Sequence, residues 1–414
     1  MTTLPRFIQI HTLHNYPAAL LNRDDAGLAK RLPYGDKVRT RISSQCLKRH
    51  WRVAEDAHSL ASLGVPMAIR SRGFAEKILN TLIEKGVAES VATSLAAAIR
   101  DAFKKDLKKL IKDAKSPKKG KGKKTDDDAE EVDGELSTEN ADQKQAILLG
   151  VSEFSYLTKL AEEVAQRVTQ PAEARLAMLE RLQAEQENLK AMEHGSGLES
   201  ALFGRMVTSD VLTSRDAAVY VAHAFTVHEA QVENDYFTVV DDLLRDAGEQ
   251  GSAGIFDTEL ASGLYYGYVV VDVQQLLANL GGDDRELAGQ IVQHLLHLIA
   301  TVSPGAKRGS TAPFEWAKFM LVEAGDWQPR SLAGAFQNAL YSKDQKKIEW
   351  CIREEAVKRL ADELQRLDAA YGAPCERRFL SVDDLQVTGA QRMSLTALTQ
   401  WAQSMIASGT LQGT

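Results

Sequence analysis

The spacing of apolar positions changes several times along this chain, and each change marks a predicted element. Residues 7–13, FIQIHTL, alternate and are bounded by Pro5 and by the stretch from Asn15 to Pro17. That period of two predicts a strand, with Ile8 and Ile10 on one side and Gln9 and His11 on the other. A helix is predicted from Ser43 to about Leu63, entered through two serines able to cap its first turn. Residues 74–112, 146–165 and 173–192 keep a helical period, so 64–196 reads as a mostly helical insertion. β-prone runs return at 203–208, 217–228 and 235–244. The last opens an excursion whose tip, 245–257, holds Gly248, Gly251 and Gly254, and which returns through the alternating LYYGYVVVDV at 264–273. This predicts a long hairpin, with Gly263 and Gly267 easing close approach of a neighbouring backbone. An amphipathic helix at 286–300, a loop PGAKR at 304–308 and a strand FMLVEAG follow, then helices at 331–340, 346–370 and 395–407.

Without its insertions the chain runs strand, helix, strands with the hairpin, strand, helix, strand. That α/β succession is the βαββαβ order of ferredoxin-like and RNA-recognition-motif folds. No aromatic run of the kind that stacks bases on such a sheet is present, so binding across the sheet face is not indicated.

Composition adds bounds. Apolar residues make up 44% of 414 and charged residues 26%, as in an ordinary globular protein of two or three domains. No apolar run reaches the roughly 20 residues that cross a bilayer, and the first residues lack the pattern of a secretory leader. Cys46, Cys351 and Cys375 are scattered and form no CxxC, which points to a reduced, cytoplasmic compartment. The net charge of −7 conceals an asymmetry: residues 1–124 hold 26 Lys/Arg against 11 Asp/Glu. An acidic total therefore does not exclude a polyanionic partner, because local potential does the steering. Residues 116–142, SPKKGKGKK followed by an acidic block, lack an apolar core and read as a disordered, self-neutralising loop.

The candidate chemistry concentrates at 39–52, RTRISSQCLKRHWR. At about 100° per residue, Gln45, Lys48, Arg49 and Arg52 share one face of the predicted helix, and Leu47, Trp51, Ala54, His58 and Ala61 the opposite one. Cations near a helix N-terminus oppose its dipole, so their presence there suggests an anion such as a phosphate backbone. His294 and His297 are spaced for a metal, but with no acid or cysteine partner nearby no metal site is expected.

The sequence resembles the CasC-type backbone subunit of the type I-E CRISPR Cascade, an RNA-guided surveillance complex. The resemblance rests on LNRDD, RISSQCLKR, LFGRM, VAHAFTVH, DYFTVVDDL, SAG at 252–254, NLGG at 279–282 and PGAKR, in family order over most of the chain. It implies a modified RNA-recognition-motif palm (1–63 and 197–414), a large helical finger insertion (64–196) and a long β-hairpin thumb (about 229–263). It implies a CRISPR RNA-binding protein without catalysis or cofactor, stacked head to tail in about six copies of about six nucleotides each, within the site sizes of single-strand binders. Implied partners are the guide RNA, the target DNA strand paired to it, further copies of itself, and the large, small, 5′-handle-binding and 3′-hairpin-binding subunits. No membrane partner is implied.

By resemblance, Arg23, Ser43, Gln45, Lys48, Arg49 and Arg52 contact the guide backbone, Met206 lies near a displaced base, Phe237 and Thr238 are thumb wedge residues, and Lys307 and Arg308 hold phosphate. Basic finger residues would meet target DNA, with Arg175, Arg181 and Lys190 as matches and 104–124 as a substitute. Two other readings stay open. Asp24 or Asp25 would serve a metal-dependent RNA endonuclease, although Arg23 beside two acids suggests a salt-bridged loop. A protein-interaction scaffold would bind no nucleic acid at all.

Overall fold

The computed structural model describes residues 4–115, 146–192, 196–207, 211–212, 214–240, 252–341 and 351–409. The charged stretch at 116–142 and most of the expected hairpin tip lie outside the described residues. Contacts divide the chain into two units. The first comprises Met1–Leu63, Val219–Leu277 and Asp283–Thr414, and the second Gly64–Ala218 with Ala278–Gly282.

The strands, in chain order, are β1 Phe7–Ala19, β2 Arg31–Tyr34, β3 Lys37–Ile42, β4 Ala68–Ser71, β5 Ile147–Gly150, β6 Val219–Val221, β7 Ala224–Thr226, β8 Gln231–Val240, β9 Ser252–Asp272, β10 Phe319–Gly325, β11 Cys375–Ser381 and β12 Gln391–Arg392. In the first unit they form one sheet of order β12-β11-β10-β1-β9-β7-β3-β2, with β6 and β8 also paired to β9. β1 lies antiparallel between β10 and β9, Ile10 facing Val322 on one side and Val269 on the other. β8 and β9 form the expected long hairpin, and the close approach foreseen at its glycines is present. A Cβ on Gly263 would lie 2.8 Å from His228, and one on Gly267 2.7 Å from Thr12.

Both sheet faces are covered. On one, Leu13, Tyr266, Phe319, Leu321 and Phe379 pack against Val357, Leu360 and Leu364 of the Ile352–Tyr371 helix. On the other, Tyr16, Ile42, Ala224 and Tyr265 meet Cys46 and Leu47 of the Ser44–Arg52 helix. Ile299, from the Arg285–Thr301 helix, lines a small cavity on this side with Thr12, Trp51 and Val269. The Arg285–Thr301 and Leu395–Ala407 helices pack together where Gly289 leaves room for the Gln403 carbonyl.

The first face also buries charge. Glu323 is inaccessible and accepts from His11 Nε2 (3.1 Å), Arg330 Nη1 (2.7 Å) and Arg377 Nε (2.7 Å). Arg377 Nη2 donates on to Asp368 at 2.7 Å. Burial alone would raise the Glu323 carboxyl, but hydrogen bonds from His11 and Arg330 outweigh it and hold it far below the usual range. His11, kept neutral by burial, gives its Nε2 proton to Glu323 and accepts the Tyr266 hydroxyl at Nδ1 (2.9 Å). The alternation in β1 is as expected, yet its polar side is as deeply enclosed as its apolar one.

Several expectations need correction. The first helix ends at Arg52 rather than near Leu63, leaving only a 3-10 turn at Leu60–Leu63. The helix closes at Val53, whose N–H reaches the Arg49 carbonyl (3.1 Å), and beyond it Asp56 Oδ1 takes the His58 N–H (2.9 Å) in a separate turn. The 331–340 segment forms no α-helix, only a 3-10 turn Ala333–Phe336. Its backbone donors are drawn to other elements: Leu332 to Tyr266 Oη (3.0 Å), Ala339 to Asp36 Oδ1 (2.8 Å) and Leu340 to the Val227 carbonyl (2.9 Å). β11 was not foreseen, because Glu376, Arg377 and Arg378 disguise a strand whose arginine is buried by pairing.

The second unit is built around Phe74–Glu84, Glu89–Ala102, Leu107–Lys115, Val151–Ala165 and Pro171–Ala184, five helices sharing a core that includes Ile78, Leu95, Leu157 and Leu179. The run at 146–150 is not helical; it is β5, paired with β4. The unit extends past 196, since Leu198 bonds Pro66 and Ala218 bonds Leu202. Nor do the described residues 203–207 of the expected strand 203–208 form one: helix Leu198–Phe203 ends at Gly204 (φ +77), and a single bridge joins Arg205 to Arg215.

Candidate nucleic-acid interface

Three segments of the first unit bring most of the expected cations together. In the 20–30 loop, Asp24 Oδ1 accepts from the N–H groups of Ala26 and Leu28, both at 3.0 Å, across a turn made possible by Gly27 at φ +85. The carboxylate therefore closes its own turn. The salt-bridged loop expected from Arg23 and its acidic neighbours does not form: Arg23 is exposed, with no ion pair among the described residues.

The second segment is the Ser44–Arg52 helix. Ser43 has the extended backbone of an N-cap (φ −69, ψ 148), and its Oγ accepts from Cys46 N–H at 3.3 Å. Its own N–H donates to Asn22 Oδ1 (2.9 Å), tying the helix entrance to the Arg23 loop. Ser43 is buried and its hydroxyl is occupied by the cap. Trp51 anchors the inner face, Gln45 and Arg49 are exposed, and Lys48 and Arg52 are half-buried. The dipole argument does not survive the helix's shortness. In nine residues Arg49 and Arg52 fall in the last turn, where the dipole favours cations. Exposure, not an opposed dipole, is what marks Arg49.

His50 joins this helix to the third segment. Its Nδ1 proton bonds the Cys46 carbonyl (2.8 Å), leaving Nε2 to accept from Gly305 N–H (3.3 Å), and Ala306 N–H donates to the Leu20 carbonyl (2.8 Å). Lys307 and Ala312 then take left-handed backbones, φ 48 and 38, the only non-glycine residues with positive φ among those described. Each such side chain costs about 1 kcal/mol or more. Thr311 Oγ1, 3.2 Å from both the Ala306 and Lys307 carbonyls, and Ser310 Oγ, 3.1 Å from the latter, hold the turn. It exposes Lys307 and Arg308. Asn22 and His50 were missed as joints, since neither has a sequence spacing that announces a tertiary hydrogen bond.

The remaining expected residues lie elsewhere. Met206, 87% exposed, belongs to the second unit, where Gly204 has no room for a Cβ (2.9 Å from Ala217 N) and Arg205 is buried in a bidentate pair with Glu153 (2.6 and 2.9 Å). Phe237 and Thr238 stand in β8 opposite Phe256 and Ile255, and their side chains lie outside the described residues. Arg175 pairs with Asp101 (2.5 Å), and Arg181 with Glu163 (3.3 Å) and Glu185 (3.0 Å), so the two arginines suggested for target DNA already hold carboxylates of their own unit. Lys104, Lys105, Lys108, Lys109, Lys112 and Lys190 are exposed.

The histidine pair gains a third member, His58. His58 lies flat on His297, with centroids 3.6 Å apart and planes 5° from parallel, an arrangement that does not converge their nitrogens on one ion. His294 Nδ1 bonds the Ser59 carbonyl (3.2 Å) and His297 Nε2 the Thr399 hydroxyl (3.1 Å). Burial, aided by His58 and His294, lowers His297 to about 4. No group of three or more His, Cys, Asp or Glu arranged for a metal occurs among the described residues. Burial also pushes the Cys46 thiol up to about 11, away from nucleophilic use.

Comparisons with known proteins match nearly the whole chain. A family model described as CT1975-like protein matches residues 8–405. A chain of a structure described as a CRISPR RNA-guided surveillance complex, pre-nicking, is 26% identical, covering 96% of this chain and 99% of that one, with a TM-score of 0.68. A chain of a CRISPR RNA-guided surveillance complex is 22% identical over 96% and 98%, with a TM-score of 0.55, a likeness of fold. No curated protein matches significantly.

Proposed function

The chain belongs to the CT1975-like protein family, and from that premise we propose that it is a guide-RNA-binding backbone subunit of a Cascade-type CRISPR surveillance complex. The observation that carries the reading is the exposed cationic surface formed by Arg23, Arg49 and Arg308 on three hydrogen-bonded segments. Gln45, Lys48, Arg52 and Lys307 border it. A guide of variable sequence must be held without reading its bases, and cations on phosphate do this. Base edges then remain free to pair with target DNA, which is read by shape.

In this reading the first unit is the palm, and β1, the Ser44–Arg52 helix, β7, β9, the Arg285–Thr301 helix and β10 are its RNA-recognition-motif-like succession. Because helices cover both sheet faces, the guide runs along the helix-and-loop surface instead. The second unit corresponds to the fingers and the β8–β9 hairpin to the thumb. Phe237 and Thr238 act as its wedge and Met206 as the apolar contact near a displaced base. Successive copies stack head to tail, an open heterologous contact, beside the other subunits of a cytoplasmic complex.

The test is purification of the full chain with whatever RNA it carries, sequenced for CRISPR repeats, and titration of binding against salt. Wild type follows a log–log slope of about −0.7 per phosphate neutralised, and Arg23→Ala with Arg49→Ala flattens it by about 1.4 for every RNA sequence alike. An unchanged slope, or loss confined to certain sequences, overturns the reading.

A further inference from the structure

The turn that exposes Lys307 and Arg308 continues into a second, unassigned feature. Phe314 is 68% exposed and Trp316 69%. Pro313 and Ala317 beside them are buried and Glu315 is half-buried, the period-two pattern of an extended segment with both rings outward. The backbone carrying them is anchored. Glu315 N–H donates to Ser303 Oγ (2.8 Å), the Ser303 hydroxyl donates to the Glu315 carbonyl (2.8 Å), and Ala317 N–H reaches the Ala300 carbonyl (2.7 Å). Their exposure is therefore imposed by a fixed backbone rather than by fraying. Adjacent exposed aromatics of this size mark a contact surface.

Charge decides the kind of partner. Arg308, exposed and with no ion pair among the described residues, lies on the same short loop beside exposed Lys307. The carboxylate between the rings, Glu315, is paired with Lys318 at 2.7 Å and does not oppose a phosphate. Cations that track a backbone, set beside aromatic planes that take bases without reading them, are the means by which proteins hold single-stranded nucleic acid.

We propose that Phe314 and Trp316 form a base-stacking site for single-stranded RNA, with Lys307 and Arg308 engaging the adjoining phosphates. The site rests on the RNA-binding reading above and adds to it a contact with the bases' faces, where the Arg23–Arg49 surface engages only the backbone.

The test titrates the full chain with a short single-stranded oligoribonucleotide containing 2-aminopurine and with its abasic counterpart. Phe314→Ala and Trp316→Ala each weaken binding of the base-containing strand about tenfold, ~1.4 kcal/mol, leave the salt slope unchanged and leave the abasic strand unaffected. Phe314→Leu with Trp316→Leu, which keeps apolar area without a π-face, weakens it similarly, whereas Trp316→Phe retains most of the affinity. RNA also quenches Trp316 fluorescence. If wild type binds RNA with the expected slope but the alanine variants bind both strands as well as it does, the stacking site is wrong and the function stands. Binding of no RNA by wild type removes both. Loss of self-association without RNA in the alanine variants, with unchanged RNA affinity, makes the rings a protein contact and overturns the proposal.

Discussion

Two groups of arginines in the first unit differ in everything but residue type. Arg330 and Arg377 sit against one sheet face, where Glu323 and Asp368 satisfy them. Arg23, Arg49 and Arg308 stand on loops and a short helix, exposed and without a carboxylate among the described residues. Taking a guanidinium from water is costly unless its partners are nearly ideal, so the first group is locked into the fold. The second has paid no such desolvation and keeps its charge in water. An arginine's role here is set by its partners and not by its identity.

The sharpest way to test that contrast is to remove the hub. Glu323→Ala takes the carboxylate from half-buried Arg330 and leaves buried Arg377 only Asp368, and is expected to destabilise the protein by about 3 kcal/mol in urea unfolding. The folded fraction keeps its RNA salt slope. The Arg23→Ala, Arg49→Ala variant is its mirror image: stability within about 0.5 kcal/mol of wild type, with the slope altered. Equal stability loss in both variants breaks the comparison.

Acid provides a smaller perturbation. His297 titrates near 4 in the folded protein against 6.5 ordinarily, so on acidification the unfolded chain binds its proton first. Its contribution is intact above about 6.5 and is lost as the pH falls toward 4, on the order of 1–2 kcal/mol. His11, also lowered by burial, acts in the same direction. Thermal melts across that window should show the loss, reduced in His297→Gln. A flat profile in wild type contradicts the assignment.

The smallest expected effect belongs to Asp24. Asparagine retains the oxygen that accepts from Ala26 and Leu28, so Asp24→Asn should alter neither melting temperature nor RNA affinity. It also tests the endonuclease reading. Magnesium-dependent cleavage of bound RNA by wild type, abolished in this variant, would establish the catalysis that the turn-closing carboxylate argues against.

Local pattern was legible wherever a residue's role depended on its own segment. The alternation of β1, the Arg285–Thr301 and Leu395–Ala407 helices, the long hairpin, the capping by Ser43 and the outward face of Gln45 and Arg49 all follow from spacing and side-chain chemistry. What was misread depended on distant partners. The 331–340 segment has a helical composition, but Tyr266, Asp36 and Val227 take its backbone donors. β11 places Arg377 in the interior because Glu323 and Asp368 stand beside it.

Sequence by itself determined which stretches are periodic and where positive charge gathers, because those properties are written in neighbours a few residues apart. Only the tertiary structure decided which arginines are occupied, which aromatics stay in water, and that His50 and Asn22 bind three separate segments into one surface. Desolvation and pairing are properties of a place, and in this chain the partners that make the place lie as far as 321 residues apart.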